Sequence, residues 1–84
     1  LAGLRWLCLA GNLIGDEGAR AIAASPHLAA LEHLDLSRCM IGAGGAEALA
    51  ASPNLGGLLS LDLSHNPHVG PDGVRSLAGS PHLG

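Results

Sequence analysis

Positive charge is scarce in this chain. Only four of its 84 residues are Lys or Arg and the net charge is -3. That composition excludes a nucleic-acid surface, which needs clustered cations to displace counterions. Long hydrophobic runs are also missing, and nothing approaches the roughly 18 apolar residues of a membrane span. No signal-peptide pattern is visible, and no Met stands at position 1. Cysteine is limited to Cys8 and Cys39, at different places in the pattern described below, so no disulfide framework is implied. Both read as reduced thiols, since free cysteine behaves mostly as a small hydrophobe. Trp6 is the only aromatic residue.

What the chain has instead is repetition. Leu4, Leu7, Leu9, Asn12, Ile14, Gly15, Gly18, Ile22, Pro26 and Leu28 return 27 positions later as Leu31, Leu34, Leu36, Cys39, Ile41, Gly42, Gly45, Leu49, Pro53 and Leu55. The first half returns again as Leu58, Leu61, Leu63 and Asn66. One residue is inserted around Pro67-His68, and the pattern resumes with Val69, Gly70, Gly73, Leu77, Pro81 and Leu83. A fixed period in this range marks one supersecondary unit stacked on copies of itself. The units divide as 4–30, 31–57 and 58–84, the last short by about one residue, with 1–3 as the tail of a preceding unit. Neither end carries a polar capping repeat, so the pattern predicts a single array cut from a longer protein. Such a piece exposes Leu and Ile at both cut faces, and marginal stability or self-association through the open ends is expected.

Each unit opens with alternating leucines: Leu7-Cys8-Leu9, Leu34-Asp35-Leu36, Leu61-Asp62-Leu63. Period-two alternation predicts strands with one buried face, and their identical register with long return paths predicts that they lie parallel. The second half of each unit predicts a helix: 16–24, 43–51 and 71–79. Pro71 suits the first helical position, and Ser-Pro ends each helix because the residue before proline leaves the helical region. Gly18, Gly45 and Gly73 recur inside these helices at a cost of roughly 1 kcal/mol each relative to alanine. That recurrence predicts a close approach to a neighbouring turn, although common descent of the units would also produce it.

The stretch Leu-x-x-Leu-x-Leu-x-x-(Asn/Cys)-x-(Ile/Val), at Leu4 to Ile14, Leu31 to Ile41 and Leu58 to Val69, resembles the leucine-rich repeat family. The unit length and the Gly-x-x-Gly-x-x-x-Leu portion look most like its ribonuclease-inhibitor-like, helical subclass. The Gly-Ala-x-Ala-(Ile/Leu)-Ala wording is similar to bacterial members. The resemblance implies an α/β fold: a right-handed solenoid, or horseshoe, with a parallel β-sheet on the concave face and α-helices on the convex face. It also implies that Asn12 and Asn66 hold the turn after each strand by bonding backbone groups, with Cys39 in that place in the middle unit. Protein recognition is the function it implies. A structural spacer, or the regulatory or substrate-selecting part of a ligase-type effector or GTPase-activating protein, stays open beside it.

Catalysis and metal binding find little support. His33, Asp35 and Ser37, and Asp62, Ser64 and His65, are the residue types of a hydrolase triad. Alternate side chains on one strand, however, stand about 7 Å apart, too far for a direct relay. Partners on adjacent strands come within about 5 Å, which leaves a His33–Asp62 contact open. No nucleophile turn or oxyanion donor accompanies them. Of the five histidines, His27 and His82 share a loop position two units apart, and His65 and His68 flank the insertion. A zinc site needs at least three protein ligands with suitable spacing, and none is evident. No cofactor is implied.

The frame is constant and the outward strand positions vary. These positions are Trp6, Cys8 and Ala10; His33, Asp35 and Ser37; Ser60, Asp62 and Ser64. Gly11, Arg38 and His65 follow at the strand exits. A protein partner is expected here, with neither nucleic acid nor membrane. Trp6 reads equally as an interaction anchor or as cover for a sheet edge. On the helix side, Arg20, Glu47 and Arg75 share one position and predict a column of alternating charge, worth about 0–1 kcal/mol per exposed pair.

Overall fold

The computed structural model describes residues 4–79, apart from the side chain of His27. Three units of strand, turn and helix follow one another: β1 (Trp6–Cys8), α1 (Gly15–Ala24), β2 (His33–Asp35), α2 (Ala43–Ala50), β3 (Ser60–Asp62) and α3 (Gly70–Ala78). The expected tail at 1–3 and the close of the third unit at 80–84 lie outside the described residues.

The three strands form a parallel sheet in the order β1-β2-β3. Trp6, His33 and Ser60 are register partners, as are Leu7, Leu34 and Leu61, and Cys8, Asp35 and Asp62. The strands are short, but the ladder continues past them. Leu9 N donates to Asp35 O at 2.9 Å and Leu36 N to Asp62 O at 2.8 Å. Beyond these, Gly11 N donates to Ser37 O and Arg38 N to Ser64 O, each at 3.0 Å. Alternation then does its work: the leucines turn towards the helices while the residues between them face out.

The helices pack side by side behind the sheet. The glycine column permits this. A Cβ on Gly45 would sit 2.8 Å from Ile41 Cγ2 and 3.1 Å from Ala19 Cβ, and one on Gly73 would meet Val69 Cγ1 at 2.5 Å and Ala46 Cβ at 3.2 Å. Each of these two glycines lets its helix press onto the β-branched residue one turn earlier and onto an alanine of the preceding helix. Close packing therefore explains their recurrence.

The core is centred on the middle unit. Leu31, Leu36, Cys39, Ile41, Leu49 and Leu55 are fully inaccessible. Their counterparts Leu4, Leu9, Ile14, Leu63 and Leu77 are only partly buried. Val74 is 59% exposed, although Ala19 and Ala46 at its position are at 0%. Each unit thus relies on both neighbours for burial, as a repeat architecture requires.

Two features were not expected. Ser25-Pro26 and Ser52-Pro53 end the helices and also open 3₁₀ turns, Pro26–Leu28 and Pro53–Leu55, which bring Leu28 and Leu55 into the core. Proline's fixed φ suits that first helical position. Asp16, in the first turn of α1, reaches across to the next unit. Its Oδ1 accepts Gly42 N at 2.7 Å and Gly45 N at 3.0 Å, capping α2, whose own N-cap residue Gly42 supplies no side chain. An N-cap bond of this kind is worth about 1 kcal/mol.

The asparagine position joins the units. Asn66 is buried; its Oδ1 accepts Cys39 N at 2.9 Å and Ile41 N at 3.0 Å, and its Nδ2 donates to Leu36 O and Leu63 O, both at 2.9 Å. Cys39 does part of the same task. Its thiol donates to Leu9 O at 3.1 Å, as Asn66 does to Leu36 O. It has no amide oxygen to offer, and in the first unit Ile14 N turns inward to Asn12 O at 2.9 Å. The result is an α/β repeat fold of three strands and three helices.

Candidate functional site

The outward sheet positions make one surface, and each expected residue lies on it or at its rim. Trp6, Cys8, Ser60, Asp62 and Ser64 are exposed, as are Arg38 and His65, while His33, Asp35 and Ser37 are half-buried in the middle of the sheet. The Trp6 and His33 rings stack across the β1–β2 pair, with centroids 4.5 Å apart and planes 35° from parallel. His33 Nδ1 lies 2.9 Å from Ser60 Oγ. The first column is therefore a continuous chain of contacts across all three strands. Together with Leu34, Asp35 and Asp62 it lines a shallow depression of ≈ 180 Å³.

In the second column, each aspartate is fixed by the serine two residues on. Asp35 Oδ1 accepts Ser37 N at 3.0 Å and Ser37 Oγ at 2.7 Å. Asp62 Oδ1 accepts Ser64 N at 2.9 Å and Ser64 Oγ at 2.5 Å. The Ser37 amide, then the Ser37 hydroxyl, and last the Cys8 thiol 3.7 Å from Oδ2, hold the Asp35 carboxyl below the usual carboxylate range against a smaller opposing effect of desolvation. Ser37 and Ser64 are thus spent on orienting the aspartates. The Asp-x-Ser spacing was the available signal for that role. The carboxylates are register partners on neighbouring strands, and among the described residues neither forms an ion pair.

Arg38 and His65 have left-handed backbone, with φ of 56° and 59°, at the position where Gly11 has φ 78°. Only glycine takes that conformation without steric cost, yet two bulky polar side chains occupy it at the exits of β2 and β3.

Several alternatives do not form. His33 turns to Ser60 and not to Asp62, and both serines are bonded to aspartate instead of histidine. No relay of nucleophile, base and carboxylate is assembled from these residues. Among the described residues no three His, Cys, Asp or Glu side chains converge as metal ligands; His82 and the side chain of His27 lie outside them. Cys39 is buried and structural. The charge column on the helix face forms no ion pair along its length among the described residues. Arg75 pairs with Asp72 on its own helix at 3.4 Å, and among the described residues neither Arg20 nor Glu47 forms an ion pair. Arg20 instead extends over Gly44, where a Cβ would lie 3.0 Å from Nη2.

Three stretches, residues 4–23, 27–50 and 58–78, match the Leucine Rich repeat family model. With one match on each unit, the chain belongs to the leucine-rich repeat family. Repeats of this family generally serve protein–protein interaction. No curated protein and no solved structure matches the chain.

Proposed function

We propose that this chain is a protein-recognition surface, the concave sheet face of a right-handed, ribonuclease-inhibitor-like solenoid of bacterial type, divided at 4–30, 31–57 and 58–84. One observation carries the reading. The buried frame is nearly the same in every unit, whereas the outward column of Trp6, His33 and Ser60 differs in each, and the outward residues stand in register on one open face. A rigid face loses little entropy on binding, and its exposed Trp6 is of the type enriched at binding hot spots. The partly buried leucines of the first and third units favour association through the ends of the array, either with further repeats or with other copies.

The test compares the two faces. With a partner isolated by affinity purification, Trp6→Ala and His33→Ala should each weaken binding, while Arg20→Ala, Glu47→Ala and Arg75→Ala should leave it unchanged. The reverse pattern would move the recognition surface to the helices.

A further inference from the structure

The depression on the sheet face combines an aromatic wall and two carboxylates. Trp6 is 66% exposed at one side, while Leu34 is 1% exposed, its side chain turned to the helices. Asp35 and Asp62 stand side by side, where like charges repel. Both use Oδ1 for a serine, which fixes their orientation. Asp62 Oδ2 accepts no hydrogen bond among the described residues, and Asp35 Oδ2 has only the distant Cys8 thiol. No cation of the described chain pairs with either carboxylate.

We infer that this depression receives an arginine side chain of the protein partner; the inference rests on the sheet-face reading above and specifies its chemistry. Neighbouring parallel strands lie about 4.8 Å apart, a spacing that a planar guanidinium can bridge with one N–H to each carboxylate. Arginine pairs with carboxylates through such forked hydrogen bonds and also packs along aromatic rings. Its apolar stem lies along Trp6, and its charge relieves the repulsion between the aspartates. The Ser37 and Ser64 bonds hold the carboxylates in place before the cation arrives, so little ordering is left to do on binding.

The experiment uses N-acetyl-arginine amide as probe and N-acetyl-citrulline amide as its uncharged counterpart. Binding is followed by Trp6 fluorescence and by the backbone amide resonances of Asp35 and Asp62. The arginine probe should perturb all three sites, and the citrulline probe should not. The pair Asp35→Asn and Asp62→Asn keeps an oxygen for each serine and so preserves the turn. It should weaken the arginine response by about tenfold or more, as two charge-assisted hydrogen bonds become neutral ones. Raised salt should weaken it in the parent as well. Equal responses to the two probes, or an unchanged response in the double variant, would overturn the inference. If Trp6→Ala still abolished partner binding in that case, the sheet face would stand as the recognition surface without the arginine. If Trp6→Ala left partner binding intact as well, both readings would fall together.

Discussion

Asn12 and Asn66 are the same residue at the same place in the repeat, and replacing each by alanine should have very different effects. Asn12 is exposed and makes one side-chain bond, Nδ2 to Leu9 O at 2.9 Å. Its loss should cost about 0.5–1 kcal/mol, the net value of an ordinary hydrogen bond. Asn66 is 6% exposed and serves four main partners. Asn66→Ala leaves the buried amides of Cys39 and Ile41 without an acceptor, at about 1–3 kcal/mol each, so roughly 2–6 kcal/mol in all. A chain of 84 residues at about 0.05–0.15 kcal/mol per residue holds roughly 4–13 kcal/mol, so this one change removes a large fraction. Asn66→Cys should fall between, because the thiol can still donate to Leu36 O as Cys39 does to Leu9 O. Urea titration read by far-UV circular dichroism and by Trp6 emission gives the three values, with coincident curves as the check on two-state unfolding. An Asn66→Ala cost below about 1 kcal/mol, or one equal to that of Asn12→Ala, would refute the assignment of this side chain as the clasp between units.

Neighbouring glycines of α2 should respond in opposite directions. Gly45→Ala places a Cβ within 3.1 Å of three atoms, two from α1 and one from the turn before α2, and should destabilise by about 1–3 kcal/mol through overpacking. Gly44→Ala meets chiefly the movable end of Arg20 at 3.0 Å and should be neutral or stabilise by up to about 1 kcal/mol through helix propensity. Thermal unfolding separates the two. Asp16→Ala removes the cap on α2 and should cost about 1 kcal/mol, visible as faster amide exchange at Gly42 and Gly45. The Asp35 carboxyl, held below the ordinary value of 3.8, should titrate at lower pH than a free aspartate. The stability it lends is complete above the unfolded value and is lost as pH falls through the lower folded value. Ser37→Ala should return the titration only part of the way, since the Ser37 amide is the larger cause and remains; carbon-detected NMR of the carboxyl reads both.

The sequence makes the frame legible because packing is periodic. Leucines at period two predict strands, and helix bounds from the pattern fall within one residue of those found. What it hides are contacts that depend on the distance between units. Asp16 sits where the other units have Ala43 and Pro71, so no repetition marks it as a cap for the following helix. The Arg20–Glu47–Arg75 column was read from position alone. Exposed charges are held weakly, and Arg75 found Asp72 on its own helix while Arg20 lies against Gly44. On the sheet face the register of the columns was legible, because strand pairing carries it. The bonding of Ser37 and Ser64 to the aspartates left only the Asp-x-Ser spacing as its trace, because a hydroxyl that faces a partner and one that serves its own turn are the same residue type.

The insertion beside Pro67 shows where this architecture tolerates a change in length. The third unit has one residue more between strand and helix, yet Asn66 still clasps the second unit and Gly73 still meets Ala46. The extra residue bulges in the turn and leaves both layers in step. The same residue added inside a strand would exchange its two faces, sending leucines outward and aspartates into the core. Gene duplication and unequal crossover in such an array can therefore succeed when they cut whole units or fall in the strand-to-helix turn. Those turns are where the length of related genes should be seen to drift.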